Sequence, residues 1–342
     1  MTRTSNTNTQ KWTLVGALLL CLLALLLINI FFGTVHIDAQ QTLTILTGHG
    51  QGDAAQYIIT QSRIPQAITA MIAGAGLSIS GLMLQTAFHN PLAGPSVLGI
   101  SSGASLGVAI VMMATGGALC GISDNTALQG YLAIILAALC GALAVTALLL
   151  AMSKLVRSNV ILLIAGMMLS YLISSIITLL TYSASQTGIQ SYVFWGMGDF
   201  SHVTITQLPW LAIIVCAAIA LSMPLIKPLN ALLLGEQYAQ NLGVNVSNIR
   251  HILLLTTGIL CAAITAFCGP ISFIGIAVPH ITRFIFRTDN FRTLMPMTIV
   301  IGACATLLCN AICTIPSDTV LPLAAVTPIL GAPVIIWIVF KR

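Results

Sequence analysis

HILLLTTGILCAAITAFCGPISFIGIAVPHITRFIFR, residues 251–287, reads by hydropathy either as one long apolar helix or as two short ones. The choice decides on which side of a membrane everything around it lies. Gly269-Pro270 interrupts the run, and proline both removes a helix hydrogen bond and clashes with the preceding turn. Charge supplies an independent argument. With a cytoplasmic N-terminus and two spans here, Arg3, Lys11, Lys154, Arg157, Lys227, Arg250, Arg283, Arg287, Arg292, Lys341 and Arg342 fall inside, leaving only Arg63 outside. Asp38, Asp53, Asp124, Asp199 and Asp318 fall outside. Merging the two spans moves Arg283, Arg287 and Arg292 outward, against the excess of Lys and Arg on cytoplasmic loops. Two short helices is the reading that satisfies both arguments.

Outward from this stretch, apolar runs separated by polar or Gly/Pro punctuation give ten spans, near 13–33, 64–86, 97–117, 131–152, 160–182, 208–226, 251–268, 271–286, 293–313 and 321–340. Composition agrees. Only 6% of the 342 residues are charged and 58% are hydrophobic, with a mean hydropathy of +1.03. Soluble domains carry about 25% charged residues, so a hydrated surface and a disordered chain are both excluded. The expectation is an all-α, polytopic membrane protein: one transmembrane domain over 1–342, with both termini cytoplasmic. A net charge of +5 without a basic run argues against a nucleic-acid partner. The run Thr13–Phe32 exceeds the usual h-region of a signal peptide and is read as a retained first span.

The chemistry of an enzyme is missing. There is no H-E-x-x-H, no G-x-S-x-G and a single Glu. No metal or cofactor is expected on this chain. The span centres hold almost no ionisable residue, which disfavours an ion-coupled carrier. Without a G-x-x-x-x-G-K-[ST] loop, any ATP that drives transport acts in another subunit. The nine cysteines, Cys309 and Cys313 included, read as small apolar packing residues. Gly99, Gly103 and Gly107, and Gly74 with Ser78, read as close-packing stripes. Gly94-Pro95 before Val97-Leu98-Gly99-Ile100, and Gly269-Pro270 before Phe273-Ile274-Gly275-Ile276, suggest an inverted repeat. The long inside segment 227–250 predicts a short helix over Leu229–Asn241, closed by Gly243, with Glu236 near its middle. Such a helix either rests on the membrane interface or docks into a partner's groove.

Four stretches carry a resemblance: SRIPQAITAMIAGAGLSISGLMLQTAFHNPLAGPSVLGISSGASLG at 62–107, LNALLLGEQYAQNLGV at 229–244, GPISFIGIAVPHITR at 269–283 and LGAPVIIWI at 330–338. The chain resembles the permease subunits of bacterial type II ABC importers for iron–siderophore complexes, haem and cobalamin. The resemblance implies a homodimer in the inner membrane, two ATP-binding cassette subunits that use ATP with Mg, and a periplasmic or lipid-anchored substrate-binding protein. It implies ATPase coupling through Leu234, Gly235, Glu236, Ala239, Leu242 and Gly243, and a cytoplasmic gate at Ser158, Asn159 and Val160. It implies a translocation path along the fifth and tenth spans, where Ser170, Ser174 and Thr178 either line the path or face a neighbouring helix. It also implies that Arg63 meets an acidic residue of the binding protein; the alternative is a helix-end anchor. Gln66 and Cys313-Thr314 stand where the family often carries arginine, so docking charge is thinner here. The substrate stays open among iron chelates, ranked first, and cobalamin; a stand-alone carrier is the alternative function.

Overall fold

The computed structural model describes residues 3–50, 52–116, 124–156, 158–315 and 320–340. Arg157, Asp318, Lys341 and Arg342, all used in the charge count, lie outside the described residues. The regular structure described is helical throughout: α1 (Arg3–Phe31), α2 (Ala39–Leu46), α3 (Ala54–Tyr57), α4 (Ile64–Ala87), α5 (Ile100–Ala114), α6 (Asp124–Leu155), α7 (Asn159–Ser183), α8 (Gln186–Gly196), α9 (Leu208–Ser222), α10 (Ile226–Leu232), α11 (Glu236–Asn241), α12 (Val246–Cys268), α13 (Ile274–Phe286), α14 (Phe291–Thr314) and α15 (Leu323–Phe340). A π-helical turn, Ile58–Arg63, joins α3 to α4. Seven helical runs are long and apolar enough to cross a membrane, and three shorter apolar helices bring the number to ten. The divided reading of 251–287 holds: α12 stops at Cys268 and α13 starts at Ile274, with Gly269 at φ +76° between them.

The run through α4 is the axis of the bundle. Its most apolar window is 83% buried, against 6% for that of α1 at the rim. Close approach of backbones holds α4 in place, as expected where lipid supplies no hydrophobic drive between helices. A Cβ on Gly74 would run into the Gly302 carbonyl of α14, and one on Gly81 into Gly275 of α13. On the other flank, Gly103 of α5 abuts Gly141 of α6, and Gly107 abuts Ala137. The Gly103/Gly107 stripe is therefore a helix–helix seam. Gly99 differs, because its φ of +83° starts α5.

Two non-helical segments enter the bundle, 88–99 before α5 and 269–273 before α13. They are the Gly-Pro segments that suggested internal symmetry, and the first packs on the helix that follows the second: Gly94 stands against Ile276, and Pro95 against Gly275 of α13. Side chains reach backbone carbonyls there and in α13. Gln85 Nε2 donates to the Ile276 carbonyl at 3.0 Å, and His280 Nε2 lies 2.8 Å from the Pro91 carbonyl. Irregular backbone at membrane depth persists only where protein satisfies it in this way.

Gly81→Ala should lower the stability of the detergent-solubilised protein by about 1–3 kcal/mol, the usual cost of overpacking. Gly16→Ala, where nothing lies within 4 Å of the added Cβ, serves as the control in the same thermal unfolding series. Equal melting of the two variants would contradict the close α4–α13 seam.

Candidate functional site

The segment after α9 is built differently from the single helix expected over Leu229–Asn241. Gly235 has φ +105° and ψ 152°, a conformation open to glycine and to almost nothing else, and it splits the segment into α10 and α11. The break turns α11 so that Glu236 opens it. At the far end, Val244 N–H donates to the Ala239 carbonyl at 3.0 Å and Gly243 N–H to the Gln240 carbonyl at 2.9 Å. With Gly243 at φ +82°, this is a Schellman motif, which closes α11 where the sequence places a glycine. Ala239 is fully buried beneath α11, whereas Leu234, Tyr238 and Leu242 are 65%, 51% and 59% exposed. Three large apolar side chains thus stand together on a segment otherwise rich in polar residues. An apolar patch rimmed by polar groups marks a contact with a protein or a membrane surface.

Glu236 points the other way. Its Oε1 accepts from Asn159 Nδ2 at 2.6 Å and from Arg250 Nη2 at 3.0 Å. The Arg250 side chain is mostly buried and that of Glu236 about one-third exposed. The fold therefore brings one coupling residue together with the gate trio expected at the start of α7. Ser158 caps α7, its Oγ accepting from the Ile161 N–H, while Val160 is exposed. Arg250 was missed in the sequence, although its place one turn into a helix that follows the coupling segment was a usable signal.

Arg63 is not displayed on a surface. The residue is 5% exposed, and its guanidinium donates to the carbonyls of Ile30 and Phe31, each at 2.9 Å, and to that of Val35. These are the last carbonyls of α1 and the turn beyond it, which have no partners within the helix. The structure gives Arg63 the work of clamping α1 to the start of α4, an anchoring role at a helix end. Gln66 belongs to a second clamp nearby. It donates to Asn310 Oδ1 at 3.1 Å, Asn310 donates to Asn29 Oδ1 at 2.7 Å, and Asn29 donates to the Leu307 carbonyl at 3.0 Å. Asn29 and Asn310 were unassigned in the sequence, and amides inside apolar runs are the signal that would have found them. Cys313 and Thr314 are buried beside this chain of amides on α14.

Residues 20–341 match the FecCD transport family. The chain belongs to that family. It is 33% identical over 324 residues to the vitamin B12 import system permease protein BtuC of Escherichia coli O127:H6 (strain E2348/69 / EPEC), covering 94% of each chain. It is 34% identical over 336 residues to the BtuC of Klebsiella pneumoniae subsp. pneumoniae, covering 98% of this chain and 95% of that one. A solved structure of a metal-chelate type ABC transporter in an inward-facing conformation aligns with TM-score 0.83 and 28% identity, over 96% of this chain and 99% of that one. This FecCD protein is a membrane permease of an ABC importer.

In the FecCD permease the hydroxyl residues of α7 divide between two environments. Ser170 is half-buried, donates to the Gly166 carbonyl at 3.1 Å and packs against Gly99. Ser174 and Thr178 are exposed, with Thr178 Oγ1 donating to the Ser174 carbonyl at 2.9 Å. They share an open face with Tyr171, Leu172, Leu179 and Tyr182, all large apolar residues that the single chain leaves uncovered.

Arg63→Ala should cost about 1–3 kcal/mol of stability, the range for hydrogen bonds to a charged donor. Thermal unfolding of the purified permease measures this, and unchanged melting would show that the α1 carbonyls need no clamp.

Proposed function

We propose that this permease carries a metal chelate, an iron–siderophore complex or haem, inward across the inner membrane of a bacterium in an ATP-driven importer. Two copies form the transmembrane body, each acting as one domain, with both termini and the 227–250 segment in the cytoplasm. Two ATP-binding cassette subunits use ATP with Mg beneath them, and a substrate-binding protein delivers cargo from the outer face. The chain itself supplies no cofactor. The observation that carries this reading is the exposure of Leu234, Tyr238 and Leu242 on and beside the capped helix α11. It suits a hydrophobic groove in a partner, the helix-in-groove mode of recognition. The uncovered face of α7 suits the second copy and the path between them. The likeness to vitamin B12 permeases favours a second reading of the cargo, cobalamin, while the likeness to a metal-chelate type transporter favours the first.

Mechanistically, the cassettes rock the two permeases between outward-open and inward-open arrangements, a rigid-body change at an interface. The direction follows from the binding protein's preference for one of those states. Reconstitution in liposomes with the cassette and binding proteins tests the whole reading. Uptake of ferric siderophore, haemin and cobalamin is compared side by side, and uptake that survives a hydrolysis-dead cassette refutes ATP drive. Leu234→Asp with Leu242→Asp should reduce cassette retention on the tagged permease by about tenfold or more, the usual weight of central apolar anchors. Undiminished retention would move the docking surface elsewhere.

A further inference from the structure

Glu236 lies 77 residues from Asn159 and 14 from Arg250, yet one of its oxygens accepts from both. Three parts of the chain meet at that atom: the start of α11, the start of α7, and the first turns of α12. Elsewhere α7 packs mainly on α5, with a smaller contact to α6, and α11 leans on α10 and α12. The carboxylate is thus the polar bridge between the α10–α12 corner and the end of α7.

We infer that Glu236, Asn159 and Arg250 form the mechanical link through which movement of the cassette-docking segment reaches α7, and that Asn159 and Arg250 are positioning residues for transport. The inference rests on the reading of 227–250 as that docking segment. The physical grounds are threefold. One oxygen of the carboxylate is held by two donors within the chain, whereas the exposed apolar surface of the segment comes from Leu234, Tyr238 and Leu242. The contact to Asn159 is short and directional, and such bonds weaken steeply once distance or angle departs from the optimum. A displacement of α11 therefore either drags the start of α7 or breaks the bond outright. A displacement that also pulls Glu236 away from Arg250 strands a mostly buried cation without its carboxylate, an unfavourable state that resists such opening. Short-range bonds of this kind make a link with two positions and nothing stable between them.

The test uses the full transporter, permease with cassettes and binding protein, in liposomes. It measures cassette retention on the tagged permease and substrate taken up per ATP hydrolysed. In Asn159→Ala and Glu236→Ala the cassettes should stay bound while uptake per ATP falls about tenfold or more, the factor expected for a lost charge-assisted hydrogen bond. Asn159→Asp, which sets a second carboxylate against Glu236, should be at least as impaired. The exchange Glu236→Arg with Arg250→Glu should recover uptake per ATP to within about threefold of the parent, because the ion pair and a bond to the Asn159 amide both re-form. Retained cassettes and unchanged melting in the alanine variants, with uptake per ATP lost, are the readout that a merely structural role would not give. Parental uptake per ATP in both alanine variants overturns the link and leaves the transport reading standing. Loss of cassettes from Glu236→Ala also overturns it, making Glu236 a docking residue, as does an exchange no better than Glu236→Arg alone. If the unaltered transporter shows no ATP-driven uptake, it is the transport reading that fails, and the variants are not needed to see it.

Discussion

A backbone carbonyl in hydrocarbon has no water to turn to, and each helix end or break in this bundle has to be answered by a specific donor. That constraint explains where the few polar side chains have gone. Arg63 answers the end of α1, His280 lies against the Pro91 carbonyl of the segment before α5, Gln85 and Asn29 reach carbonyls within α13 and α14, and His89 lies 2.9 Å from the Leu232 carbonyl at the end of α10. None of these groups is spare. A chain with so little polarity has used most of what it has on its own backbone.

Set against that pattern, Glu236 stands apart. Its partners are side chains, and it joins segments that backbone bonding does not require to be joined. The contrast with the α4 seams is mechanical. Where Gly74 meets Gly302 and Gly81 meets Gly275, an added Cβ would strike a backbone carbonyl of the facing helix, so α4, α13 and α14 have little slack to slide. At α7 the contact is one-sided, and a large apolar face is left open. Rigid and movable parts of the same bundle are thus separated by how they pack.

Most of the fold was legible because its signals are one-dimensional. Gly269-Pro270 and the placement of Arg283, Arg287 and Arg292 sufficed to divide α12 from α13, and hydropathy located the other spans. Gly235 was harder to read, since a glycine inside LLLGEQYAQ is compatible with a helix until its φ is known to be +105°. Arg63 was legible as unusual, and its contacts were not. Charge count marked it as the odd cation, but whether a guanidinium faces a partner or three carbonyls depends on the distance to a helix end about thirty residues earlier in the chain. Glu236 likewise stood out by scarcity, while its two partners came from folding 77 residues back and 14 forward.

The clamps on α1 have a consequence for how that helix can vary. Along its length it turns Val15, Leu18, Leu22, Leu25 and Leu26 toward the core and Leu14, Leu19, Leu20, Leu23 and Leu27 outward. Near the far end Asn29 and the carbonyls that Arg63 holds add polar contacts that fix its azimuth and height. One residue more or fewer turns a helix by about 100° and shifts it by about 1.5 Å. A single insertion between Asn29 and Val35 takes the polar tip out of register, and one between Val15 and Leu26 turns part of the packed stripe away from the core. The helix is keyed twice, by an apolar stripe along its shank and by polar teeth at its tip, and drift in its sequence should be confined accordingly.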